Sequence, residues 1–184
     1  MKRSTLIPLM LLAVAAVGCT KQSLKTAYDK QTTYIENFIS AQMKTDTSAT
    51  LTRNGDVCRL ILHDTLDARR DSLLPGGKVA LYYACYTLTS ASVSRSNLVA
   101  TNREELAAQA GWALSDPSRY KLDTLTLGST LVKGLEAGLA GVQEKDEGYI
   151  LFTGEYGYGG SQRGTIPARS ALVYQIWIQS IDNN

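Results

Sequence analysis

The chain has one histidine, His63, and three cysteines, Cys19, Cys58 and Cys85. A structural zinc site takes about four nitrogen or sulfur ligands, so a single centre would use every one of these residues and little material is left for it. A nucleophile activated by histidine would have to be built on His63 alone, and His63 sits in a strand-like stretch. Charge of one sign is also missing. Lys and Arg total 19 against 17 Asp and Glu. Taking away residues 1–18 removes Lys2 and Arg3 and no acid, which leaves 17 of each. A balanced chain lacks the basic footprint of a nucleic-acid binder. What is present is ordinary for a globular core: 44% apolar and 20% charged residues, which excludes disorder and collagen. At 184 residues, one domain with an appendage is expected. No internal repeat is seen.

Only one long apolar run occurs, from Thr5 to Val17, after Lys2 and Arg3 and broken by Pro8. It is too short to span a bilayer, which needs about 20 apolar residues. It fits the apolar region of an export signal. The run ends in Ala16-Val17-Gly18-Cys19, which resembles the bacterial lipobox, with Ala16 where leucine is usual. The expectation is a signal over 1–18, a lipidated Cys19 and a soluble folded part tethered to a membrane. Thr20-Lys21-Gln22 carries no acid. By resemblance to bacterial lipoproteins, this favours the outer membrane with the domain facing the periplasm. That compartment permits a disulfide, but Cys58 and Cys85 both lie in apolar strand-like segments, where buried free thiols are common. The sequence sets no distance between them.

Leu24, Tyr28, Gln31, Ile35, Phe38 and Gln42 step by three or four, with Ile39 and Met43 alongside. This spacing predicts an amphipathic helix over 21–43, packed on its own domain. Thr45–Thr52 is small and polar and reads as a linker. The periodicity then changes. Strands are expected at Val57–His63, at Val79–Leu88 as the central one, and at Leu122–Leu127, Gly148–Thr153 and Ser170–Ile181. Pro75-Gly76-Gly77 is a turn. Asn102–Trp112 looks helical, with Asn102 as N-cap and Glu105 in the capping-box position. Leu131, Leu135 and Leu139 mark a short helix. Residues 154–169 form a loop rich in Gly and Tyr. Glu144–Glu147 reads as a polar turn, and Lys133 and Glu136 as a solvated helix face. Strands followed by one short apolar helix and further strands predict an α+β fold, an antiparallel sheet over a helix.

Four motifs in order add a resemblance. They are Gly77-Lys78-Val79 with Leu81-Tyr82-Tyr83; Leu127-Gly128 with Leu131-Val132-Lys133-Gly134-Leu135-Glu136 and Gly138-Leu139; Tyr156-Gly157-Tyr158-Gly159; and Ile166-Pro167 with Leu172-Val173-Tyr174. In register, these resemble the FKBP-type peptidyl-prolyl isomerase domain over Gly77–Asp182. The segment Val99–Asn102 with its helical insertion is similar to lipoprotein members of that family. The resemblance implies an FKBP-like isomerase domain at 53–184, after a lipidated N-terminus, helix and linker at 19–52. It implies proline-containing polypeptides as substrates, with no cofactor, no metal and no nucleic acid.

Position by position, the resemblance places Tyr83 as an aromatic pocket wall and Val99 where the family has phenylalanine. Leu131 and Val132 fall on the pair before the short helix, where the second residue's N–H donates to a substrate carbonyl. Leu135 stands where a tryptophan usually floors the pocket. Tyr158 matches the tyrosine whose hydroxyl bonds substrate, Ile166 an apolar loop contact, and Tyr174 a pocket phenylalanine. Ala100 replaces an aspartate, and Asp123 or Leu122 lies near a further aromatic position. The loop from Gly159 to Ile166 is shorter than usual. Each lost ring removes about 150–250 Å² of apolar wall, so weak activity and poor binding of macrolide inhibitors are expected.

Overall fold

The computed structural model describes residues 7–62 and 70–184, with residues 7–20 as backbone only. His63 and the first six residues lie outside the described residues, as does the Cys19 side chain. Helix α1 spans Ile7–Thr45. Among the described residues seven strands follow: β1 Thr50–Asn54, β2 Val57–Leu62, β3 Lys78–Thr87, β4 Leu98–Thr101, β5 Asp123–Thr126, β6 Glu147–Phe152 and β7 Leu172–Asp182. Helix α2, Glu104–Gln109, sits between β4 and β5, and helix α3, Lys133–Leu139, between β5 and β6. All pairings are antiparallel, in the order β1-β2-β6-β7-β3-β4. Strand β5 shares the outer edge of β3 with β4, β5 pairing with Lys78–Leu81 and β4 with Ala84–Tyr86. The expected α+β fold, an antiparallel sheet around a short helix with an N-terminal helix before it, is therefore found.

Alternation along the strands divides the core into two faces. Ile150 and Phe152 of β6 join Tyr174, Ile176 and Ile178 of β7 in the cluster under α3. Leu151 and Val173 turn the other way and meet Ile35, Phe38 and Ile39 of α1. Phe38 sets its ring edge-on against Tyr149, centroids 5.0 Å apart. Helix α1 thus packs on its own domain through the second half of its stripe, whereas most side chains from Lys21 to Lys30 are exposed. Met43, placed in the stripe by spacing, is exposed as well. Helix α3 can lie flat on β6 because Gly134 and Gly138 face it. A Cβ at Gly134 would enter the Phe152 ring, and one at Gly138 would enter Ile150.

Three local readings change. Strand β1 starts at Thr50, inside the stretch read as linker, so the sheet begins sooner. Asn102 is not an N-cap: Arg103 holds that position, without a side-chain cap. Asn102 is instead buried in the gap on the edge of β3 between β4 and β5. Its Oδ1 accepts from Tyr83 N–H at 2.7 Å, and its Nδ2 donates to Leu81 O at 3.0 Å and Lys121 O at 2.9 Å. Asp146, read as part of a polar turn, is 6% exposed. It accepts from Gln143 N–H and pairs with Arg70 at 3.2 Å.

Candidate active site

The eight residues singled out by motif come from three strands, helix α3, the segment just before it and the loop at 154–169, yet they meet in one cluster. Leu135, Ile166 and Tyr174 are buried members of the α3-side core, and Tyr83, Val99, Leu131, Val132 and Tyr158 pack against it half-buried. Tyr174 forms the floor. Its ring lies 5.9 Å from the Phe152 ring in a stacked arrangement and 6.2 Å from that of Tyr83. Tyr83, Val99 and Tyr158 rise around it.

Each wall has a local cause. Tyr83 is fixed by the Asn102 bond to its N–H and by Thr101, whose Oγ1 donates to Tyr83 O at 2.7 Å. The start of α3 is tied to the loop by Gly134 N–H donating to Tyr156 O at 2.8 Å. Val132 precedes the helix in extended conformation as its N-cap. Among the described residues no acceptor takes its N–H, as a first-turn donor leaves free for a ligand. The loop carrying Tyr158 and Ile166 is a chain of turns: Gly159 N–H to Gly154 O at 2.9 Å, Arg163 and Ile166 exchanging backbone bonds, and Arg169 N–H to Gly159 O at 2.6 Å. Its two ends are then gripped by one side chain of α1. Gly154 N–H donates to Gln31 Oε1 at 2.9 Å, and Gln31 Nε2 donates to Arg169 O at 2.6 Å.

The floor is less apolar than a phenylalanine would make it. Burial, then the neighbouring Cys85 and Tyr158, pushes the pKa of the Tyr174 hydroxyl well up. Burial likewise pushes the Cys85 thiol up to about 12, with the Tyr174 bond pulling the other way. Burial, then Asp123, Cys85 and Tyr158, raises Tyr83. These phenols are neutral donors at pH 7. Cys58 and Cys85 are both free and buried. Among the described residues, no group of three His, Cys, Asp or Glu is placed to hold a metal ion. What the arrangement offers is an apolar cluster with phenol side chains among its members and one spare backbone N–H at its edge.

Motif matching missed Phe152 and Cys85 beneath Tyr174, and Gln31 and Asn102 behind the walls. Alternation with Ile150 could have placed Phe152. The signal for Gln31 was a polar side chain inside an apolar stripe.

A sheet curled over a short helix, with aromatic side chains packed between helix and loop, is an FKBP-like fold. Residues 109–179 match the model of the family described as FKBP-type peptidyl-prolyl cis-trans isomerase. That segment holds Leu131, Val132, Leu135, Tyr158, Ile166 and Tyr174, and leaves Tyr83 and Val99 before it. The chain is similar in fold to the N-terminal domain of FKBP42 from Arabidopsis thaliana, with TM-score 0.51 and 16% identity over 75% of this chain and 94% of that one. It is similar also to FkpA from Escherichia coli, with TM-score 0.53 and 13% identity over 98% of this chain and 74% of that one. At such identities the likeness is one of fold. No curated protein matches the sequence.

Proposed function

We propose that the protein is a peptidyl-prolyl cis-trans isomerase of modest activity, acting on X–Pro bonds of exported polypeptides. The observation that carries this reading is the meeting of Tyr83, Val99, Leu131, Val132, Leu135, Tyr158, Ile166 and Tyr174 in one apolar cluster, which we read as the walls of a substrate hollow. The two forms of an X–Pro bond lie within about 1 kcal/mol, behind a barrier of about 18–20 kcal/mol. Uncatalysed exchange takes about 10–100 s. The barrier is lost amide resonance, and water stabilises the planar, dipolar amide more than the twisted one. An apolar hollow withholds that solvation. The spare Val132 N–H and the Tyr158 hydroxyl can hold the flanking carbonyls while the bond turns. This requires no nucleophile or strong base, in keeping with a single histidine. Lipidation at Cys19 and a place on the periplasmic face of the outer membrane belong to the same proposal. They rest on the Ala16–Cys19 sequence and on the exposed first part of α1, which would stand the domain off a surface.

A second reading is a binding module that holds proline-containing segments, or a partner protein, without useful catalysis. The Tyr174 hydroxyl in the floor favours it, as do Ala100, Val99 and Leu135 where the family has larger or charged groups. The deciding experiment is refolding of a proline-limited substrate together with cis-trans exchange in an alanyl-proline peptide. Acceleration that disappears in Tyr83→Ala with Tyr174→Ala supports the enzyme. Saturable peptide binding without acceleration supports the module.

A further inference from the structure

A proline inside a polypeptide has chain on both sides, so an isomerase hollow must open onto somewhere for the flanks to lie. One depression adjoins the hollow. It is a cavity of about 660 Å³ that shares Val99 with the hollow and is also lined by Pro167, the neighbour of Ile166. Pocket volumes of about 300–1,000 Å³ hold small ligands or a few residues. Its far wall is the excursion between β4 and β5, which contributes Trp112, Arg119 and Tyr120. Leu98 and Val99 give an apolar floor, and Thr87, Ser96 and Thr165 supply hydroxyls.

Arg119 is the charged residue in this lining. It is exposed, and its charge acts on the Tyr83 hydroxyl against the larger effects of burial and Asp123. Nearby, Asp116 is bound to its own turn through Ser118 N–H and Oγ and feels first Arg119 and then Lys121. Asp116 thus offsets part of the Arg119 charge from outside the groove, and neither Asp116 nor Lys121 lines it.

We propose that this groove is the substrate-flank subsite, taking polypeptide with a large apolar side chain against Trp112 and an acidic side chain against Arg119 close to the proline. The inference rests on the isomerase reading for the identity of the occupant. Exposed ion pairs contribute modestly, so the preference is one of several-fold rather than all-or-none.

The chain has two tryptophans. Trp177 packs against the same Ala84, Tyr86 and Leu98 cluster as Trp112 but does not line the groove; the Arg103 guanidinium covers it, 4.3 Å from the ring centroid. Trp177→Phe therefore leaves Trp112 as a reporter of the groove. The experiment uses the full chain carrying Trp177→Phe, with and without Arg119→Glu. Three peptides with a central alanyl-proline bond are compared, flanked on both sides by leucine and then glutamate, glutamine or lysine. Trp112 fluorescence reads binding, and exchange NMR reads isomerisation. The expected result is that the glutamate peptide binds roughly three- to fivefold more tightly than the lysine peptide, perturbs Trp112, and loses or reverses that advantage in Arg119→Glu. Isomerisation with equal affinity for all three peptides and a silent Trp112 overturns the groove while the isomerase stands. Charge-dependent binding without isomerisation keeps the groove and removes the enzyme. No binding and no isomerisation overturns both.

Discussion

Gln31 and Arg169 stand 138 positions apart in sequence and share a 2.6 Å hydrogen bond, side-chain amide to backbone carbonyl. The same amide group accepts from Gly154 N–H, so one side chain of α1 closes the base of the loop that presents Tyr158 and Ile166. Arg169 holds a left-handed φ of 60° there, which favours glycine or asparagine over a long side chain, so the bonds around it offset a strained backbone. Gln31→Ala removes both bonds. At about 1 kcal/mol for a typical net bond, global stability should fall by about 1–2 kcal/mol. Amide exchange at Gly154 should quicken, and isomerisation should drop several-fold as the loop loosens. Gln31→Glu keeps the acceptor for Gly154 but sets a carboxylate against the Arg169 carbonyl, so it should fall between. Unchanged exchange at Gly154 in the alanine variant would show that the loop holds itself.

Tyr174→Phe should make the protein a better isomerase. The hydroxyl is buried, with Cys85 and Tyr158 as its neighbours. Removing it leaves a drier floor and removes a polar competitor for the Tyr158 hydroxyl. Cys85 loses a weak sulfur partner, which costs little. A rise of about threefold to tenfold in kcat/KM, equal to about 0.7–1.4 kcal/mol in barrier, is expected from exchange NMR on an alanyl-proline peptide. A fall would mean that the tyrosine hydroxyl itself contacts substrate.

The parts of this fold legible in sequence were those carried by short-range periodicity. The central strand β3, strand β7 and helix α3 announce themselves through runs such as VALYYACYTL and leucines at four-residue steps. Strand β1, TLTRN, did not: it is the polar edge of the sheet, and most of its side chains are exposed. Strand β4 has four residues, too few for a pattern. Asn102 and Asp146 were misread for one shared reason. Both have side chains that are favoured at caps and turns; Asn102 spends its amide on distant backbone, whereas Asp146 keeps its turn bond to Gln143 N–H and is buried by pairing with distant Arg70 as well. The hollow followed from motif register across the chain. Its polar floor and the supports behind it depend on contacts that only the folded chain brings together.

Asn102→Ala tests that non-local role. The residue is 3% exposed, and its amide serves Tyr83 N–H, Leu81 O and Lys121 O. Truncation leaves three backbone groups without it in the gap between β4 and β5. An unsatisfied buried group costs about 1–3 kcal/mol, less where water enters, so a loss of roughly 2–4 kcal/mol is expected in urea unfolding. Because Tyr83 is one of the three, activity should fall even below the unfolding transition. A loss under about 0.5 kcal/mol, the range of an ordinary surface substitution, would sink the account.

Cys85 supplies a dependence on alkaline pH. Its side chain is fully buried, and burial pushes the thiol up to about 12, whereas an unfolded cysteine titrates near 8.5. Below about pH 8.5 the thiol is protonated in both states and its contribution to stability is complete. As pH rises further, the unfolded chain releases the proton first, so stability declines until the folded thiol titrates. The slope for one such group approaches about 1.4 kcal/mol per pH unit. Tyr83 and Tyr174 are raised in the same sense, but unfolded tyrosine titrates near 10, so the interval from about pH 8.5 to 10 isolates cysteine. Cys58 is raised too and is common to both proteins compared. Urea unfolding of the native chain and of Cys85→Ala at pH 7, 8.5 and 10 should show the native chain losing about 1–2 kcal/mol more between the last two points. Parallel declines in the two proteins would mean that the thiol at the base of the hollow ionises as freely when folded as when unfolded, and so that the hollow is wet.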